Sequence, residues 1–186
     1  YSYAGGKVVR DAAIRLSEGS VEELRELFEK APHLPTRIVV NVLEEEYVFE
    51  ALPHATGADG KQLLERKLNQ HFRQSNFKQT VVQGRQKDGR RDQEVMFSSL
   101  GNCEDLQTLV DILYDLEIPI TGIYSAPQIC RHYLAPVLKR ENVLIMTEID
   151  NGVLERVAVR QSFFHEGKLR LTRVGMIDVV DEEQVH

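Results

Sequence analysis

The sequence predicts a mixed α/β protein in which strands and amphipathic helices alternate along 186 residues. The clearest stretch covers residues 142–174, where turn signals at 150–152 and 165–167 separate three segments of strand character. The Asn-Gly and Glu-Gly pairs in these turns accept the positive φ that short hairpins need. We therefore expect a three-stranded antiparallel meander there. The strand and helix signals that alternate before it predict a mixed sheet with flanking helices.

The N-terminal residues predict a hairpin and a helix. Residues 1–16 have strand character on both sides of a Gly-Gly pair, which is typical of a hairpin. Ser20 and Glu23 have the spacing of a capping box, and apolar residues recur at helical spacing after Ser20. We expect this helix to end before Pro32 because proline cannot continue it.

Two strands are predicted next, a β-branched run at 37–43 and an alternating segment at 47–52. Glu44, Glu45 and Glu46 stand between them. Three consecutive acids resemble a set of metal ligands, but successive residues of a strand point to opposite faces of the sheet. We interpret the acidic run as a solvated strand end or loop.

A second helix is predicted over residues 60–73, with an apolar stripe along one face. His71 lies next to this stripe and is interpreted as a structural residue. Strands at 78–84 and 93–100 follow, joined by a polar segment that carries a basic cluster. We interpret this cluster as a solvated hairpin tip rather than a phosphate or lipid site. The stripe consists of Leu63, Leu64, Leu68 and Phe72.

A third helix at 104–116, a strand at 118–124 and a fourth helix from about Pro127 precede the meander. Asp111 and Asp115 are placed on the solvent side of the third helix, and Cys130 is interpreted as a small buried hydrophobe on the fourth. The acidic tail, 177–186, is predicted to be frayed. The predicted inner face of the third helix consists of Leu106, Leu109, Val110, Leu113 and Tyr114.

Composition argues against several functional classes. The net charge of −6 and a pI near 5.6 are not typical of a general nucleic-acid binder, which shows a basic face. No apolar run approaches the ~20 residues of a membrane span, and no signal peptide is evident. The first residue is Tyr1 rather than Met, so the chain can be a fragment of a longer protein, and a membrane span in that parent chain is an open alternative. Cys103 and Cys130 form no CxxC pair, which fits a reducing compartment.

The sequence contains none of the standard catalytic or phosphate-binding motifs. It lacks GxxxxGK[ST], GxGxxG, HExxH and GxSxG, and its six histidines are isolated from one another. We therefore predict no catalytic residue and no metal ligand.

Three segments, within residues 37–174, resemble the PilM-like and GspL-like cytoplasmic proteins of type IV pilus and type II secretion systems. They are ALPHATGADGKQLLERKLNQHF, EVMFSSLGNCEDLQTLVDILYDLEIPITGIYSAPQICRHYL and VRQSFFHEGKLRLTRV. The most similar group consists of uncharacterised bacterial membrane-anchored relatives that carry the same GRQKDGRRDQ and RQSFF segments. The resemblance implies an actin-like, ribonuclease-H-like fold. Residues 1–140 would form its first lobe, and 141–186 the start of a truncated second lobe.

The resemblance also places a phosphate-binding loop. The matching positions are Glu148, Asp150, Asn151 and Gly152, which would bind the nucleotide. The small residues that continue this loop in the family are replaced here by residues 153–156, whose bulky and charged side chains crowd a backbone that must approach phosphates. We therefore expect a non-catalytic scaffold domain without a cofactor. ATP and magnesium binding by an actin-like ATPase is the alternative.

The partners that the resemblance implies are other assembly proteins of a pilus or secretion system, and a homodimer is an open alternative. The expected location is cytoplasmic, at the face of the inner membrane, with membrane anchoring of the parent chain also open. No nucleic-acid partner is expected. A small-molecule sensor domain is a third, separate hypothesis.

Overall fold

The computed structural model describes residues 2–4, 7–10, 20–31, 33–101, 103–134, 141–149 and 156–178. Within these residues the chain is a mixed α/β protein, as the sequence predicts. In chain order the elements are β1 (Ser2–Ala4), β2 (Lys7–Arg10), α1 (Ser20–Glu29), β3 (Thr36–Val40), β4 (Glu45–Leu52), α2 (Gly57–His71), β5 (Lys78–Arg85), β6 (Gln93–Leu100), α3 (Glu104–Asp115), β7 (Ile120–Ser125), α4 (Ala126–Tyr133), β8 (Asn142–Ile149), β9 (Arg156–His165) and β10 (Lys168–Asp178).

The elements divide into two compact units, each made from two separate parts of the chain. Unit 1 contains residues 1–38 and 103–123, and unit 2 contains residues 39–102 and 124–186. The lobe boundary predicted at residue 140 stays a prediction.

Unit 1 contains the predicted N-terminal hairpin and two helices that pack together. Strands β1 and β2 pair antiparallel, and α1 lies against α3. The backbone N–H of Thr36 in β3 donates to the carbonyl of Pro119, just before β7, at 2.7 Å. The hydroxyl of Thr121 donates to the carbonyl of Thr36 at 3.0 Å, so these hydrogen bonds tie β3 to the start of β7.

The buried face of α3 differs from the prediction at two positions, since it includes Ile112, which the predicted face omits, and lacks Tyr114. Leu106, Ile112 and Leu113 are buried, whereas Tyr114 is 81% exposed, so the prediction for Tyr114 is wrong. Successive residues of a helix are turned by about 100°, and the buried pair at 112–113 turns position 114 away from the core. Asp111 and Asp115 are exposed, as predicted.

Unit 2 places α2 against one face of an antiparallel sheet with strand order β4-β6-β5. The predicted apolar stripe of α2 contributes Leu64, Leu68 and the residue that follows the helix, Phe72. These side chains pack on β4 and β6, where Val95 and Phe97 are buried. The central strand β6 is buried along its last six residues, because both of its faces are covered.

The predicted meander covers the other face of this sheet. Strands β8, β9 and β10 form an antiparallel sheet of order β10-β9-β8. Its inner face contributes Phe164 and Leu169 to a core that includes Met96 of β6, and Cys130 of α4 packs against the same core. The turn between β9 and β10 contains Gly167 with φ +74°, the positive value expected there.

Several strand boundaries differ from the prediction: β4 begins at Glu45 rather than at residue 47, and β7 begins at Ile120 rather than at residue 118. Strand β3 ends at Val40 rather than at residue 43, and the chain turns at residues 43–44 before β4 begins at Glu45. Strand β10 includes Ile177, which the sequence assigns to the frayed tail. Residues 179–186 of that tail lie outside the described residues. None of the described helices is long and apolar enough to cross a membrane.

Candidate functional site

The residues predicted to form a phosphate-binding loop lie at and beyond the end of β8. Glu148 is the penultimate residue of β8, and its side chain is exposed. Asp150, Asn151 and Gly152 lie outside the described residues, so their assignment to a nucleotide site stays a prediction. The structure does describe what holds the end of β8 in place.

A buried arginine and an asparagine lie next to the end of β8. The amide of Asn41 donates from Nδ2 to the carbonyl of Glu148 at 2.9 Å, and its Oδ1 accepts a hydrogen bond from Nε of Arg160 at 3.4 Å. Arg160 is 1% exposed and also donates to the carbonyl of Val42. The guanidinium therefore orders the chain between β3 and β4 and, through Asn41, the end of β8.

Glu45 is the anionic partner of this arginine, and its burial corrects the interpretation of the acidic run. Its Oε2 lies 3.4 Å from Nη2 of Arg160, and the Glu45 side chain is 2% exposed. Oε2 accepts no hydrogen bond from the described residues. Glu44 and Glu46 are exposed, as predicted for the whole run.

Tyr47 and Ser125 complete this buried polar cluster. The Tyr47 hydroxyl donates to Oε1 of Glu45 and lies 2.8 Å from Oγ of Ser125. Burial raises the pKa of Glu45, while the hydrogen bonds from Tyr47 and Ser125 and the charge of Arg160 oppose that rise. Burial and the neighbouring Glu45 carboxylate raise the pKa of Tyr47 above its usual range, so the phenol stays protonated and acts as a donor.

The contacts within this cluster are hydrogen bonds and one ion pair that hold its side chains in place. Ser125 is 4% exposed and has Tyr47 as a neighbour, but an activated serine needs an adjacent base that takes its proton. Glu45 Oε1 is already occupied by the Tyr47 hydroxyl. In the described part of the chain, no group of three or more His, Cys, Asp and Glu side chains is arranged to hold a metal ion. The cluster can fix β4, β9 and the start of α4 relative to one another within unit 2.

Sequence reasoning missed Glu45 and Arg160, although β9 contains a signal for the arginine. Arg160 shares a face of β9 with Ala158 and Ser162, and both are buried. A charged residue at an inward position predicts a buried partner of opposite charge, because an unpaired buried charge is costly. The identity of the partner is not visible, since Glu45 lies more than a hundred residues earlier and between two exposed acids.

A second polar group joins β6 to β10. The carboxylate of Glu94 accepts from Nζ of Lys168 at 2.6 Å and from Nη2 of Arg170 at 2.9 Å. Burial raises the pKa of Glu94, but these two hydrogen bonds and the positive charges outweigh it, so the pKa is lowered overall. Glu94 therefore stays ionised and ties the central strand of one sheet to the edge strand of the other.

The outer face of the meander is apolar and exposed. We define it as the side of β8, β9 and β10 that points away from Met96. Leu144 and Leu171 flank Phe163 in adjacent registers, so the three form one row across the sheet. Leu144 is 58% exposed and Leu171 is 51% exposed, while Met146, in the next row, is 56% exposed.

The outer face also carries a glutamate and an arginine on opposite edge strands, and His165 at the end of β9 contacts Asn142 on the same face. Met146 and Arg173 both pair with Gln161, and the Arg173 Nε donates to the Gln161 Oε1 at 2.8 Å. Glu148 lies one row further along β8, where it pairs with Val159. The two charged side chains thus lie on either side of β9, in neighbouring rows of the outer face, and both are exposed.

Unit 1 contains an open cleft of about 580 Å³ beside the end of α3. Its lining combines apolar residues with two acids, and one of them, Asp115, is already paired with Arg25 at 2.9 Å. The lining residues are Val110, Tyr114, Asp115, Glu117, Ile118, Pro119 and Ile120.

Comparison with known proteins adds no family assignment. No model of a known protein family matches the chain, and no curated protein is similar to it in sequence.

Proposed function

We propose that the chain is a non-catalytic, actin-like scaffold domain that docks proteins in a bacterial pilus or secretion assembly apparatus. The observation that carries this proposal is the outer face of the meander. Its apolar side chains are half exposed on a sheet whose other face contributes Phe164 and Leu169 to the core of unit 2. Contiguous exposed apolar surface of this kind marks interaction sites on soluble domains.

The apolar row is not needed to complete the core. The core of this part of unit 2 is built from the alternate positions of the same strands, such as Val143, Ile145 and Phe164. Side chains at 144, 146 and 171 could therefore be polar at no cost to the fold, and a strand with one wet face usually alternates in that way. Apolar residues at these positions favour a docking role.

The resemblance of residues 37–174 to pilus and secretion proteins supplies the class of partner. Those proteins use an actin-like domain to dock partners at the cytoplasmic face of the inner membrane. The proposal therefore places this domain on the cytoplasmic side, with the meander contributing a docking surface. The actin-like topology and the apparatus both belong to the proposal.

Site-specific photo-cross-linking in the cells that encode the chain tests this function. A photoreactive amino acid at position 146, on the outer face, should give adducts that contain an assembly protein of a pilus or secretion system. The matched control is position 61, an exposed lysine on α2. Adducts at 146 that are no more abundant than at 61, or that contain no assembly protein, would contradict the proposal.

A further inference from the structure

We propose that the outer face of the meander binds a second copy of this chain, with the two sheets packed face to face. This inference rests on the proposed docking role of that face and names its partner. The relevant observation is the pattern of charge on the face. One acid, Glu148, lies on β8, and one base, Arg173, lies on β10, with apolar rows beside them.

A two-fold axis parallel to β9 makes this pattern complementary to itself. Such an axis lays β8 of one copy over β10 of the other, and the apolar row then stacks on itself, with Leu144 over Leu171. Met146 lies over Arg173, and Glu148 lies one row from it, within reach of the long arginine side chain. Each copy contributes both charges, so the pair of Glu148 with Arg173 forms twice, as an isologous interface requires.

The alternative two-fold axis, which runs across the strands, is unfavourable. If it passes through the row of Met146, Gln161 and Arg173, it lays each strand over its own copy. Arg173 then meets Arg173, and like charges at close range oppose association. The register of the meander therefore favours the axis along β9, which is also compatible with the small crossing angle, about 30°, of aligned sheet packing.

The size of the face sets the expected strength. Eight rows at ~3.3 Å and three strands at ~4.8 Å give a plan area of roughly 400 Å². This is below the ~800 Å² that each partner buries in a typical stable interface, so the dimer belongs to the weak, reversible class. We expect dissociation constants in the micromolar range, on the order of 10 μM.

Sedimentation equilibrium on the full chain, from about 5 to about 200 μM, tests the proposal, because this range brackets the expected dissociation constant. The wild-type chain should change from monomer to dimer across the range. Leu144→Ser with Leu171→Ser should remain monomeric. Thermal unfolding checks that this variant is folded, which we expect because both residues are half exposed.

A charge swap tests the orientation. Glu148→Arg alone and Arg173→Glu alone should each weaken dimerisation on the order of tenfold, since two pairs are replaced by repulsion. The double variant should recover most of the wild-type affinity. The main chain at Glu148 keeps its hydrogen bond from Asn41 in all of these proteins, because that bond uses the carbonyl.

The outcomes separate this inference from the proposed function. A chain that is monomeric throughout, a dimer that survives the two serine substitutions, or a charge swap without recovery overturns the inference. If a monomeric chain still cross-links from position 146 to an assembly protein, the docking function is supported and the proposal that a second copy binds this face is wrong. If the chain dimerises through this face and no assembly protein is captured, the inference stands and the assembly role is wrong.

Discussion

At the scale of single residues, Arg160 depends on its partners for its place in the core. Burying a guanidinium costs several kcal/mol unless a counter-charge and hydrogen-bond acceptors replace the lost water. Glu45 supplies the counter-charge, while Asn41 and the carbonyl of Val42 act as acceptors. Such a cluster contributes little net stability compared with apolar packing, but it is costly to break because the remaining partner stays buried and charged.

The first prediction is that Arg160→Met lowers the free energy of unfolding by about 3–5 kcal/mol. The methionine fills most of the volume, so the loss comes from the buried carboxylate of Glu45, which is left without its cation. Urea unfolding measures the change. Arg66→Met is the matched control at an exposed position of α2 and should change stability by no more than about 0.5 kcal/mol. Equal losses of stability at the two positions would show that unit 2 does not depend on the buried pair of Arg160 and Glu45.

The second prediction concerns Glu94 and pH. Its pKa is lowered in the folded protein, so between its folded pKa and the ordinary unfolded value of about 4.3 the unfolded chain binds more protons. The stability that Glu94 provides is complete above that ordinary value and is lost as pH falls through the folded pKa. We expect the free energy of unfolding of the wild type to be larger than that of Glu94→Gln by roughly 1 kcal/mol at pH 7. The difference should become progressively smaller below about pH 4.

Unfolding curves of both proteins between pH 7 and pH 3 measure this difference. In a Lys168→Met background, Glu94→Gln should lower the free energy of unfolding by less than it does in the wild type, because Lys168 supplies one of the two hydrogen bonds. A wild-type advantage that is constant with pH would show that the carboxylate is not held ionised by its partners.

At the scale of elements, α3 has a buried residue and an exposed residue at adjacent positions. Leu113 is fully buried and Tyr114 is 81% exposed. The third prediction is that Leu113→Ala costs about 2–5 kcal/mol, from lost apolar burial and the cavity that remains. Tyr114→Ala should stay within about 0.5 kcal/mol of the wild type. Thermal or urea unfolding measures both changes. A larger loss of stability for Tyr114→Ala than for Leu113→Ala would show that Tyr114, rather than Leu113, faces the core.

The elements were predictable from the sequence wherever one local rule decided them. The meander followed from the turn residues, and α2 followed from its apolar stripe, because periodicity and positive φ are properties of neighbouring residues. Tyr114 was assigned wrongly because a tyrosine at the edge of an apolar stripe fits either phase. Glu45 was assigned wrongly because its burial depends on Arg160, and no local pattern contains a partner at that distance in sequence.

At the scale of the whole molecule, the chain order interleaves the two units. Residues 39–102 and 124–186 form unit 2, while the segment between them belongs to unit 1. The candidate site shows the same dependence on distant parts of the chain, since Asn41 holds the carbonyl of Glu148. Sequence reasoning identified the end of β8 as a candidate site from a resemblance, but the residues that order it were visible only after folding.

The last prediction addresses what the whole chain does with a nucleotide. A working actin-like ATPase needs backbone amides that reach the phosphates and groups that hold magnesium and orient water. The loop beyond β8 instead continues with Leu154 and Glu155, and a carboxylate near phosphates adds repulsion where neutralisation is needed. The chain also has no second Asp-x-Gly loop to clamp a nucleotide from the opposite side. The affinity for ATP should therefore be millimolar or weaker.

The measurement is thermal unfolding with magnesium and about 1 mM ATP, where a ligand at or below its dissociation constant adds only ~0.4 kcal/mol or less. We expect no magnesium-dependent rise in melting temperature for the wild type or for Asp150→Ala. A rise of several degrees in the wild type that Asp150→Ala abolishes would place ATP at the predicted loop. Such a result would favour the ATPase over the scaffold, because nothing but bound nucleotide at that loop links the two observations.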